Sequence, residues 1–166
     1  MTPSTLSTKL LKEVGKAIPL LSLLAAILID EFILDMLPFV LVHSCLFYWS
    51  IYQPEFLPFS GLCVLSLVAD GLAGTPFGRS FLLFLCTLLM AQSQQRSMAQ
   101  ASFGVIWTAF AFYMMFFVIL RYVLDGLLSG AFEPAWHLLQ DYLAAVSIHP
   151  IVFFTLVKIK WIPEKP

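Results

Sequence analysis

Charge is what this sequence has least of. Only 11% of its 166 residues are Asp, Glu, Lys or Arg, where a soluble domain carries about 25%. So few charges cannot cover a water-facing surface. With 60% hydrophobic residues and a mean hydropathy of +0.91, the composition points to an all-α integral membrane protein. The net charge of -1 and the lack of a basic patch with interleaved aromatics leave no nucleic-acid partner. Cysteine is also scarce. Cys45, Cys63 and Cys86 lie dispersed in apolar runs, without a disulfide framework or a metal-ligand spacing. They read as small core residues. The chain has no G-x-S-x-G, no H-E-x-x-H and no glycine-rich phosphate loop, so no catalytic residue, cofactor or metal is expected, and no enzyme.

What is there is apolar runs between sparse charges. A helix needs about 20 residues to cross some 30 Å of hydrocarbon. The runs suggest a single transmembrane domain over residues 1–166, with spans at about 17–34, 36–54, 56–74, 78–95, 100–121 and 141–160. Several are short, so five spans stay open beside six. The basic start could belong to a cleaved leader, but no A-x-A site precedes a polar region, and a retained span is expected. With a cytoplasmic N-terminus, Lys9, Lys12, Lys16, Arg96, Lys158, Lys160 and Lys165 fall inside, against Arg79 and Arg121 outside. That distribution favours six spans with both termini cytoplasmic. The acids Asp30, Glu31, Asp35, Asp125 and Glu133 then lie outside or near that interface. Tyr48, Trp49, Tyr52, Tyr122, Trp136, Tyr142 and Trp161 cluster near span ends and are expected to anchor at the headgroup level. The longest outer connection is expected at about 122–138.

The stretch LVADGLAGTPFG, residues 67–78, places a lone carboxylate before a glycine–proline turn. The third helix should end around 72–74, because Pro76 disfavours helix at Thr75 and Gly74 and Gly78 permit positive φ. Arg79 should open the fourth helix. A carboxylate at depth costs about 2.5–3.5 kcal/mol and here faces the negative end of its own helix dipole. Asp70 is therefore expected to pair with Arg79 or to cap the turn, with contact to a partner or proton chemistry as further readings. Asp70-Gly71-Leu72-Ala73 matches the start of the D-G-x-x-A-R motif of CDP-alcohol phosphotransferases. However, the motif's arginine and the downstream Asp pair are missing. His43 and His149 are expected to bond to backbone or another helix, and Pro150 to kink the sixth span. Small residues, namely Gly61, Ser66 and Ala69, and Ser102, Gly104, Thr108, Ala109 and Ala111, suggest packing faces.

The residues LFYWSIYQPEFLPFSGLCVLSLVADGLAGTPFGRSFLL, 46–83, resemble the central region of the MreD family of rod shape-determining membrane proteins. That family pairs a Tyr-Trp near the end of one span with D-x-x-x-G-x-x-x-G at the end of the next, here Tyr48-Trp49 and Asp70, Gly74 and Gly78. Pro150 in the last span, followed by Lys158 and Lys160, adds to the likeness. It covers about 40 residues closely and the first 30 only in hydropathy. The resemblance implies a non-enzymatic scaffold of the bacterial rod complex in the inner membrane, supporting peptidoglycan synthesis and rod shape. Implied partners are MreC and, further out, MreB, RodA and penicillin-binding protein 2. The implied fold is a six-helix bundle like the substrate-binding subunits of energy-coupling-factor transporters. The alternative is such a subunit itself, binding a vitamin-type molecule.

Overall fold

Six α-helices and no strand make up the described residues. In this computed structural model the backbone is described for residues 3–32, 39–98, 100–130, 132 and 134–161, and side chains for 17–32, 39–98, 100–130, 132, 134 and 136–159. Asp35, Glu133 and Lys165, and the side chains of Lys9, Lys12, Lys16, Lys160 and Trp161, lie outside the described residues. The helices are α1 (Pro3–Phe32), α2 (Val40–Tyr52), α3 (Phe59–Ala73), α4 (Arg79–Met98), α5 (Phe103–Ser129) and α6 (Ala135–Trp161), with a 3-10 turn at Pro54–Phe56.

The breaks fall where backbone chemistry forces them. Pro54 and Pro58 bracket the turn that ends α2 and admits α3, with Pro58 extended at φ -64, ψ 140. Gly74 and Gly130 close α3 and α5 in the left-handed conformation, at φ 62 and φ 69, which suits a residue without Cβ. Helix α6 continues through Pro150.

Helix α2 is the axis of the bundle. Apart from Leu41 and Tyr52 its residues are all buried, against α1, α4 and α6. Helix α3 leans on α4 and α1, and α5 on α6 and α4. Short connections alternate the chain direction. The C-terminal ends of α1, α3 and α5 therefore meet the N-terminal ends of α2, α4 and α6 around one cavity.

The outside of the bundle is apolar. On α5, Val105, Phe112, Phe116, Ile119, Val123 and Leu127 form an exposed stripe at helical spacing. On α6, Leu139, Leu143, Ile151 and Phe154 do the same. Water-soluble monomers rarely leave such contiguous apolar surface open. Phe103–Ser129 and Trp136–Ile159 are long and apolar enough to cross a membrane.

The expected element boundaries need correction. At 13 and 15 residues, α2 and α3 are shorter than the stretches 36–54 and 56–74, and rise only about 20 Å at 1.5 Å per residue. Their ends are taken by turns: residues of the 53–58 segment on one side, Gly74 to Gly78 on the other. Conversely, α5 runs on to Ser129 and α6 begins at Ala135, so most of the supposed 122–138 connection is helix. Tyr48 and Trp49 are not headgroup anchors. They are 2% and 0% exposed, because α2 is enclosed by its neighbours. Trp49 donates its indole N–H to Ser22 Oγ on α1 at 2.7 Å, and the Tyr48 ring lies edge-on to Phe153 of α6 at 5.5 Å. Trp136, by contrast, is exposed.

Candidate functional site

One end of the bundle gathers nearly all of its described buried charge. Two carboxylates there solve the same problem in the same way. A helix begins with backbone N–H groups that have no intrahelical acceptor. Asp30, near the end of α1, accepts from the N–H groups of Leu41 at 3.0 Å and Val42 at 2.9 Å. Asp70, near the end of α3, accepts from the N–H groups of Gly78 at 2.7 Å and Ser80 at 2.9 Å and from the Thr75 hydroxyl at 3.2 Å. Each acid sits at the unfavourable end of its own helix yet at the positive end of the next one. Asp30 is 4% exposed and Asp70 0%, so these bonds replace water almost completely.

Asp70 therefore caps the turn and does not pair with Arg79. The guanidinium turns the other way. Its Nε and Nη2 both donate to Asp125 of α5, a fork-to-fork geometry. Arg121, one helical turn before Asp125, extends the network: its Nε lies 3.4 Å from Asp125 and its Nη1 donates to Asp141 of α6 at 2.9 Å. The network joins α4, α5 and α6. Sequence reasoning placed Arg79, Arg121 and Asp125 on one side of the bundle without seeing the pairs. The available signal was Arg121 and Asp125 at i, i+4 in an otherwise uncharged helix.

Phe39 was not anticipated at all. Its backbone has φ 70, a conformation rare for a residue without glycine's freedom. There its carbonyl accepts from the His43 N–H at 3.2 Å and lies 2.8 Å from His43 Nδ1. Its ring lies 5.4 Å from the Arg79 guanidinium carbon and 5.8 Å from that of Arg121, within cation–π range.

Between these groups lies a cavity of about 430 Å³, bordered by Asp30, Glu31, Arg79, Arg121, Asp125 and Asp141 among others. Thr75, Tyr122 and His137 add polar groups, and Phe39, Val118 and Leu138 add apolar ones. The size falls in the range of small-ligand sites.

The remaining expected residues divide. Gly74 (φ 62) and Gly78 (φ 98) hold the turn, and Pro150 stays within α6. The histidines part company. His43 bonds to backbone as expected, but His149 has no hydrogen-bond partner among the described residues. It stacks on Phe110 with ring centroids 3.7 Å apart. Asp70 and the two histidines form no metal-binding group among the described residues. Gly61 packs tightly, since a Cβ there would sit 2.9 Å from Leu20 of α1. Gly104 and Thr108 instead line an open groove of about 610 Å³ beside α4. Comparisons with protein-family models, with curated proteins and with solved structures give no match to this chain.

Proposed function

We propose that the chain is a six-pass protein of the bacterial inner membrane, with both ends cytoplasmic, and that it serves as a non-enzymatic scaffold of the rod complex. The observation that carries this reading is the resemblance of residues 46–83 to the MreD family. Tyr48 and Trp49 are packed inside the bundle, while Asp70, Gly74 and Gly78 shape the turn from which α4 starts. A scaffold needs a rigid frame and surfaces for neighbours. The capped turn and the α4–α5–α6 charge network supply the frame. The exposed apolar stripes of α5 and α6 supply surfaces suited to lipid or a partner helix.

In this reading α2 traverses the bilayer as an enclosed, short helix and α3 as a short helix with an exposed apolar face, and the polar end faces outward. MreC is the expected direct partner, with MreB, RodA and penicillin-binding protein 2 in the same assembly. Depletion in the native host should turn rods into spheres, and mild-detergent purification should recover MreC. Rod shape retained on depletion, with no MreC recovered, would remove this reading.

A further inference from the structure

The cavity at the polar end carries an unbalanced set of charges. Four carboxylates border it, from Asp30, Glu31, Asp125 and Asp141, against the two guanidiniums of Arg79 and Arg121. Asp125 and Asp141 already bind those guanidiniums, and Asp30 is held by the N–H groups of α2. Glu31 is half-buried and, unlike the other three, has neither a salt bridge nor a hydrogen bond among the described residues. The opposite need exists at Arg79, which lines the same cavity. Arg79 is 6% exposed, and its Nη1 has no acceptor among the described residues.

A simple anion would answer Arg79 but enter a site with an excess of negative charge. A simple cation would answer Glu31 but leave the Arg79 donor unmatched, and a buried unmatched donor is costly. A ligand with both an anionic oxygen and an N–H-bearing cation answers both. We propose that this cavity binds a zwitterion carrying a primary ammonium and a phosphate or carboxylate, with the ammonium toward Glu31 and the anionic oxygen toward the arginines. Two sources share that chemistry: a phospholipid headgroup of the phosphatidylethanolamine type, and a free small zwitterion. The Phe39, Val118 and Leu138 side chains on the wall suit the carbon portion of either. The inference goes beyond the scaffold reading, since binding at this cavity and recovery of MreC are measured separately.

The test uses the full chain, stripped of lipid in detergent and examined by native mass spectrometry. Phosphatidylethanolamine, phosphatidylcholine and phosphatidylglycerol of identical acyl chains are added back in turn. Retention of the ethanolamine lipid is expected to exceed both others by about tenfold, the scale of one charge-assisted hydrogen bond. Phosphatidylcholine keeps the charge but lacks the ammonium N–H, and phosphatidylglycerol lacks the cation. Glu31→Gln should remove the preference, and Glu31→Lys should turn it toward phosphatidylglycerol. Soluble glycerophosphoethanolamine assigns the source. Displacement of the lipid by it supports a free zwitterion, and failure to displace a selectively held lipid supports the headgroup. Equal retention of the three lipids by the unaltered chain, with no binding of the soluble zwitterion, overturns the proposal whether or not the variants fold. So does an ethanolamine preference that both Glu31 variants keep.

Discussion

Asp70 is the residue on which the turn between α3 and α4 depends. Its fully buried carboxylate answers two backbone N–H groups and one hydroxyl. Asp70→Ala removes the acceptor of all three donors, and we expect a loss of about 2–4 kcal/mol, since one N-cap is worth up to about 2 and charged acceptors more. Thermal unfolding in detergent checks this, and unchanged stability would refute the capping role. Two glycines nearby separate backbone strain from packing. Gly71 lies within α3 and Gly74 at φ 62, and a Cβ at either meets nothing within 4 Å. Gly71→Ala should therefore be neutral or stabilising by up to about 1 kcal/mol, through helix propensity. Gly74→Ala should destabilise by about 1–2 kcal/mol, through the left-handed backbone alone. Trp49→Phe should cost about 1 kcal/mol for the lost bond to Ser22, less than a truncation that empties the core.

At the scale of elements, the buried ion pair sets how α4, α5 and α6 meet. The Arg79 side chain is 5% exposed and that of Asp125 33%. Removing one partner strands a buried charge. Asp125→Ala should thus destabilise by about 3–5 kcal/mol, while the double variant Arg79→Met with Asp125→Leu should recover much of that loss. A double-mutant cycle on the purified chain measures the coupling, and additive losses would count against the pair. The sequence reading found the helices and most of the breaks, because proline, glycine and charge act locally. It missed the partner of Arg79, 46 residues away, because pairing across helices depends on how they pack. It also misjudged Tyr48 and Trp49. Aromatic side chains near a helix end suit a headgroup layer or a neighbouring helix equally well by composition, and only the enclosure of α2 decides between them.

At the scale of the molecule, the described surface is apolar along α5 and α6, while one end collects the polar groups. If the proposed topology holds, single cysteines placed at residues 2 and 164, in a chain whose Cys45, Cys63 and Cys86 are replaced by alanine, should both be labelled from the cytoplasmic side by an impermeant maleimide. One at exposed Phe77 should react from the opposite side. Labels reaching the two ends from different sides would rule out six passes.

The sequence alone determined that this chain is helical, apolar and broken at particular prolines and glycines, because composition and backbone preference act residue by residue. It also marked Asp70 as a carboxylate in need of a partner, since an acid among apolar residues must be satisfied by something. Tertiary structure decided what that something is. The end of α3 meets the start of α4, so backbone N–H groups reach Asp70 first and leave Arg79 free for Asp125. Hydrogen bonds and ion pairs form within a few ångströms, and only packing brings distant residues that close.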